Sequence, residues 1–481
     1  MDAARLILAW AVVWIAGVAL VRRVYSAGAA DRVPHPAWMA GAGFLAGAFV
    51  LTLVMRGVAV AGGPLALRTV GVVMVVLTLA LWLPELRRVR AWRMAFFDAA
   101  GWRSAPWPAA RILWYALLAW LAVRYALLLG EVLRQPLFPW DAWTQWGTKA
   151  RVWFELHHMV PFVSAITWLG GSTSGYVDAA PHYPATVPLL QVWSSLALAR
   201  WDDAWMNVPW WLLGVALALA LYGFFRDQGL APLFALTGTW LIVSLPILET
   251  HVALAGYADL PLACYLTVGA LAGFTWIRRR TWPDTAVALL FLCAVPMIKI
   301  PGWIWLATLV PGLVAGLLPR HGLRIVVFGW VAAIVAIFLL GRYEPTIFNY
   351  RLHFDLNVPW HGLVEAYLSF ANWHLLFWVL PAILLATRDR VVSQELVPLT
   401  VVVGSGALFL LLGFSLTSAA IWVEDQSTVN RATLHLAPLL AAWMVLLVHR
   451  ALTARASEKA PQPAQAPEVT PALPAVPTVD A

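Results

Sequence analysis

From Trp205 to Phe225 the chain reads WMNVPWWLLGVALALALYGFF, without a single Asp, Glu, Lys or Arg. A helix that crosses the hydrocarbon core of a bilayer needs about 20 predominantly apolar residues, and this run supplies them. Asp202 and Asp203 precede it and Arg226 follows, so its ends are marked as clearly as its middle. Comparable runs lie near residues 6–21, 37–55, 66–84, 112–130, 232–248, 259–277, 284–298, 302–318, 323–341, 372–387, 396–414 and 431–449, which gives an expectation of about 13 spans. Two of them, 284–298 and 302–318, are short and joined only by Lys299-Ile300-Pro301, as in a hairpin that bends at one membrane face.

The composition agrees with that reading. Of 481 residues, 62% are hydrophobic and 12% charged, whereas soluble domains carry about 25% charge. A soluble globule is excluded, and so is a disordered chain. A disulfide scaffold is excluded too, because Cys264 and Cys293 both fall inside apolar runs. The 30 tryptophans recur near the ends of those runs, where an amphipathic ring suits the headgroup layer. The expected fold is all-α, a polytopic integral membrane protein.

Arginine sets the orientation. Arg22 and Arg23 follow the first span, Arg87, Arg88 and Arg90 the third, and Arg278-Arg279-Arg280, Arg388, Arg390 and Arg450 come later. Loops rich in Lys and Arg face the cytoplasm, which places the C-terminus there, in the inner or plasma membrane. Most acids and histidines fall on the other side, so titratable chemistry is expected at the non-cytoplasmic face. The net charge of +8 is then a topology signal, and no nucleic-acid partner is expected. No Gly-x-x-x-x-Gly-Lys-Ser/Thr loop occurs, which removes nucleotide hydrolysis, and no Cys or His spacing matches a closed zinc site. The first apolar run leads into Arg22-Arg23 and further spans, as a membrane helix does and a cleavable signal does not. Gly43 and Gly47 form a small-xxx-small pair suited to close helix packing. Residues 453–481, rich in Ala and Pro, read as a disordered cytoplasmic tail.

Between spans four and five the apolar pattern breaks over residues 131–204, too long for a structureless connector. Its first part, Pro139-Trp140-Asp141-Ala142-Trp143-Thr144-Gln145-Trp146, continues to Glu155 at helical spacing and places Trp143, Trp146 and Trp153 on one face. That pattern predicts a helix lying in the interface plane with its indoles toward lipid. Asp141 stands where a carboxylate caps a helix, or where a base sits beside a lipid-borne substrate. A second stretch, from Pro188 to near Arg200, reads as another surface helix, entered through the turn His182-Tyr183-Pro184.

In this order the features resemble the GT-C superfamily of polytopic glycosyltransferases, which includes protein O-mannosyltransferases and the lipid A aminoarabinose transferase. The resemblance covers residues 111–452 and rests on Asp141 after a span, the long outer loop, the His182-Tyr183-Pro184 turn, Asp259 opening a later span, Lys299-Ile300-Pro301-Gly302, and Arg431 at the start of the last span. The family places its loop acid after the first span. Here that acid follows the fourth, so residues 1–110 read as an N-terminal extension of three helices.

The resemblance implies transfer of a sugar from a polyprenyl-phosphate donor to a glycan, lipid or protein acceptor at the non-cytoplasmic face. Asp141 would be the catalytic base, and Lys299, Arg431 and His182 would bind the donor phosphate. Tyr183, Asp259, Glu249 and His251 would line the cavity or meet the acceptor, with Arg351, His353 and His435 as further candidates. Each residue also has a plainer reading: Lys299 as a snorkelling lysine, Arg431 as an interfacial anchor, Asp259 as a helix cap. No cofactor is expected, with a divalent metal at Asp259 left open. Arg124, inside a span, requires a partner. Two other functions compete: a transporter or flippase for a lipid-linked glycan, and a polysaccharide ligase or polymerase using a diphosphate-linked donor.

Overall fold

The computed structural model describes residues 2–27, 33–88, 108–171, 175–347, 350–351 and 358–459. In a bilayer the backbone amides have no water to turn to, so each apolar run bonds within itself and becomes a helix. Among the described residues nine helices are long and apolar enough to cross: Asp2–Ala27, Pro36–Val60, Leu67–Glu85, Pro108–Val132, Trp205–Asp227, Asp259–Arg279, Gly322–Gly341, Val397–Leu416 and Ser427–Glu458. The chain is a polytopic helical membrane protein.

The expected number, thirteen, is corrected to nine, or ten with a bent pair. The run 232–248 divides into Pro232–Val243 and Pro246–Ala253, bent by 66°, because the ring of Pro246 forces Leu245 out of the helical region (φ −58°, ψ 125°). The hairpin arms Trp282–Ile298 and Gly302–Leu317 have 17 and 16 residues, about 25 Å of helix at 1.5 Å per residue. The run near 372–387 yields only Leu376–Ala386, because His374, at a positive φ of 48°, interrupts it. Among the described residues there are also two short ribbons: Phe162–Val163 runs parallel to Tyr176–Val177, with Phe162 opposite Tyr176, and Thr346–Ile347 pairs antiparallel with Tyr350–Arg351. The last helix continues to Lys459, past the expected start of the tail. Residues 460–481 and the candidate His353 lie outside the described residues.

The Asp259–Arg279 helix and the last helix are the most enclosed of the spans, and they run side by side in the same direction. Asp259 meets Arg431 near their starts, and Glu395 holds both Arg278 and Arg450 near their ends, at 3.1 and 2.6 Å. The interval is 19 residues in each helix, about 28 Å of rise, close to the ~30 Å of a hydrocarbon core. The protein therefore carries two charged layers one membrane thickness apart. The first two helices cross in backbone contact: a Cβ on Gly17 would overlap the Gly43 carbonyl, and one on Gly47 the Val13 carbonyl. This pair also joins the rest of the core, since the Tyr265 hydroxyl donates to Leu45 O at 2.6 Å and Trp10 Nε1 to Ser194 Oγ at 3.1 Å.

The segment after the fourth span departs from its expected place in lipid. Trp143 is 46% exposed, but Trp146 and Trp153 are 1% and 4% exposed. Trp146 packs edge-on against Tyr183, and Trp153 Nε1 donates to Val160 O. The helix is laid on protein, with Lys149 bonded inward to Ala180 O at 2.7 Å and to Asp178 at 3.4 Å. The second expected surface helix, Thr186–Leu198, is buried at every residue. Two of its polar side chains bond within the protein, Thr186 with Arg56 and Met297 O, and Gln191 with Asn207. A helix apolar on all sides belongs in a core.

Candidate functional site

Four elements separated in sequence bring ionisable groups to one point. Asp259 is the first residue of its helix, Lys299 follows the last turn of Trp282–Ile298 in extended conformation, Arg431 lies in the first turns of the last helix, and Asp141 precedes the turn Ala142–Gly147. Neither acid is a cap. Asp141 has helical φ and ψ and makes no side-chain cap bond, and its carboxylate goes to Arg431.

Asp259 is the hub. It is fully buried, and its Oδ1 accepts from Lys299 Nζ at 2.7 Å and from His435 Nε2 at 2.8 Å. Its Oδ2 accepts from Arg431 Nε at 3.0 Å and also faces Nη2 at 2.9 Å. That same Nη2 donates to Asp141 Oδ2 at 2.5 Å. The guanidinium lies over the Tyr257 ring, 4.2 Å from its centroid, where a cation is attracted to the π face. His435 is held in one protonation state. The Trp305 indole can only donate, and it donates to His435 Nδ1 at 3.0 Å, so Nδ1 is bare and the proton is on Nε2, facing Asp259. With a neutral imidazole, two carboxylates and two cations balance.

The two acids are not equivalent. Every Asp259 oxygen is committed to N–H donors, and a divalent metal would have to displace them. Asp141, its side chain 25% exposed, commits Oδ2 to Arg431 and has only Gln145 Nε2, at 3.5 Å, on Oδ1. Asp141 is thus the carboxylate with accepting capacity to spare.

This cluster forms the polar end of a cavity of about 700 Å³. Asp141, Gln145, Asp259, Lys299, Arg431 and His435 line that end together with Tyr183. The body of the cavity runs between the helices Gly302–Leu317, Gly322–Gly341 and Val397–Leu416, and its walls there are mainly apolar, including Ile304, Pro311, Ile337, Leu408 and Phe409, with Thr308 and Ser405 as polar exceptions. Such a shape is complementary to an amphiphile, with an ionic head at the cluster and an apolar chain along the helices.

The other candidates lie elsewhere. His182 is exposed, its ring rests against Tyr183, and it does not line the cavity. Glu249 is the partner Arg124 requires: Arg124 Nε donates to Glu249 Oε1 at 3.2 Å, and a second contact joins Nη2 to Oε2. His251 is buried, with Nδ1 against Ile247 O at 2.8 Å and its ring near Tyr257, behind the site and not in its wall. Arg351 pairs with Glu344 at the surface. Among the described residues no group of three or more His, Cys, Asp or Glu is placed to hold a metal. Gln145, Tyr257 and Trp305 were not among the sequence candidates, though Gln145 stands four residues after Asp141 and His435 four after Arg431, one helical turn in each case.

No known protein family, curated protein or solved structure matches this chain.

Proposed function

We propose that the protein is a membrane glycosyltransferase of the GT-C kind, transferring a sugar from a polyprenyl-phosphate donor to an acceptor hydroxyl. The observation that carries this reading is the joining of Asp141, Arg431, Asp259 and Lys299 at the head of a cavity whose body is apolar. The polyprenyl chain would lie along the apolar helices and the sugar phosphate at the cations. In the transfer, the acceptor oxygen forms a bond to the anomeric carbon as the bond from that carbon to the phosphate oxygen breaks. The acceptor proton passes to Asp141 Oδ1, and the polyprenyl phosphate leaves carrying one more negative charge. Lys299 and Arg431, their side chains 14% and 18% exposed, would receive that charge, and fixed cations act more strongly when partly shielded from water.

Charge also speaks for a monophosphate donor. The cluster is balanced before substrate enters, so a single phosphodiester leaves one negative charge for Lys299 and Arg431 to share, whereas a diphosphate leaves two. A transporter tends to carry its ionisable groups near the bilayer midplane; here they sit at the ends of the helices. The arginine-rich layer at the opposite ends supports a cytoplasmic assignment for that face and a non-cytoplasmic one for the site. The test is transfer from a defined polyprenyl-phosphate sugar by the purified protein. Asp141→Asn is expected to insert and fold normally yet lose transfer, and full activity in that variant would remove Asp141 from the mechanism.

A further inference from the structure

The second charged layer holds a site of its own. A concavity of about 310 Å³ is lined by Arg390, Ser393, Glu395, Arg450, Thr453, Ala454 and Ser457. Arg450, Thr453 and Ser457 stand three and seven residues apart on one face of the last helix. Arg390, Ser393 and Glu395 come from the connection that enters Val397–Leu416.

Its charges do not balance. Glu395, the only acid in the wall, is shared between Arg450 at 2.6 Å and Arg278 at 3.1 Å. Arg390 is half-buried and has no ion pair among the described residues. The wall itself therefore carries two guanidinium groups, Arg390 and Arg450, against one carboxylate that Arg278 also draws on, and positive charge is in excess. Around them stand three hydroxyls, of Ser393, Thr453 and Ser457, each donating to a carbonyl of its own chain at 2.7–3.1 Å and each able to turn about one torsion toward an anion. The layer lies about 28 Å along the last helix from Arg431, at the depth where phospholipid phosphates lie.

We propose that this concavity binds a phosphate-bearing anion, held by Arg390 and Arg450 and by the hydroxyls of Thr453 and Ser457. Guanidinium pairs match phosphate oxygens in both charge and geometry, and basic pockets between membrane helices at this depth recruit anionic headgroups. The phosphate can arrive on a lipid or as a free ester. The inference is independent of the transferase reading, because no residue of the Asp141 cavity takes part.

The test uses the full chain in detergent, titrated with dihexanoyl phosphatidylglycerol, dihexanoyl phosphatidylcholine and inorganic phosphate, and read by native mass spectrometry and thermal unfolding. Phosphatidylglycerol is expected to bind at least about tenfold more tightly than phosphatidylcholine. Arg390→Gln, which loses no ion pair of its own, is expected to reduce that affinity about tenfold without changing the unfolding temperature in the absence of lipid. Ser457→Glu, at an exposed position, is expected to do the same by adding a negative charge, and it serves if Arg390→Gln folds poorly. Phosphatidylglycerol binding that resists millimolar inorganic phosphate identifies a lipid headgroup as the source; competition by phosphate identifies a free phosphate ester, and either result sustains the proposal. Equal binding of the two lipids, or unchanged affinity in both variants, overturns it.

Discussion

Arg431 does two jobs with one guanidinium. Through Nε and Nη2 it neutralises the buried Asp259, and through Nη2 it also holds Asp141. On the transferase reading an incoming phosphate competes with Asp141 for that nitrogen, so donor binding itself releases the base. The variants should therefore differ in kind. Asp141→Asn keeps the shape and removes the proton acceptor, and a drop in transfer of about 10²–10⁴-fold is expected, with the unfolding temperature nearly unchanged. Lys299→Met removes one cation from the phosphate, with an expected loss of about 10²–10³-fold measured as turnover at saturating donor. Arg431→Met instead leaves Asp259 buried beside Asp141 with one of its three partners, and both bonds to its Oδ2, gone. Breaking a buried pair in this way costs about 3–5 kcal/mol, so this variant is expected to fail first in expression and thermal unfolding. Equal unfolding temperatures for Asp141→Asn and Arg431→Met would contradict the role of Asp259 as the hub.

At the level of elements, the pieces that position Asp141 are held from inside the protein. Lys149 and Asp178 are both almost fully buried. Burial pushes the Lys149 ammonium below its usual pKa range and the Asp178 carboxyl above its own, while each charge pulls the other back. Lys149→Met would leave Asp178 without its cation, and a loss of about 3–5 kcal/mol is expected from thermal unfolding, with transfer lost along with the packing of Trp146 against Tyr183. The Gly17, Gly43 and Gly47 crossing gives a second prediction. Gly47→Leu cannot be accommodated against Val13 O without separating the first two helices, and it should lower the unfolding temperature more than any variant of Asp141. The Gly43 and Gly47 pair was legible in the sequence, because small residues four apart have few uses other than close approach. The apolar runs were legible as helices for the same kind of reason. The enclosure of Thr186–Leu198 was not, since an apolar helix carries no mark that separates lipid from protein as its surroundings. Trp146 and Trp153 misled similarly: an indole at a membrane boundary packs against lipid or protein with the same side chain, and the choice was made by Tyr183, Val160 and Phe162.

Across the whole molecule, the two charged layers mark the two faces of the helical bundle. Asp141, Asp259, Lys299 and Arg431 could each be picked from the sequence as an ionisable group at the end of an apolar run, but their convergence could not, because it depends on helices far apart in the chain being neighbours. Trp305 was hidden by the same limit, and His435 was legible only as one of several residues near the expected cavity, not as the group that bonds Asp259. His182, Glu249 and His251 lay equally close to the predicted boundaries, and only packing shows that they are outside the cavity wall. The arginine layer predicts an orientation that labelling can check. In a chain with Cys293 replaced, Ile166→Cys in the loop and Gln394→Cys in the opposite layer are both exposed. A membrane-impermeant maleimide applied to intact cells should label the first, and the second only after permeabilisation. The reverse pattern would place the Asp141 cavity on the cytoplasmic side and remove the stated acceptor compartment. The most direct measurement is mass spectrometry of the cell-envelope glycans from cells carrying the wild-type chain, the Asp141→Asn chain or neither. A sugar-mass increment is expected with the wild type and not in the other two, with both proteins inserted at equal levels. The same increment in the Asp141→Asn cells, or no difference between the wild type and the cells lacking the protein, would contradict the transferase reading.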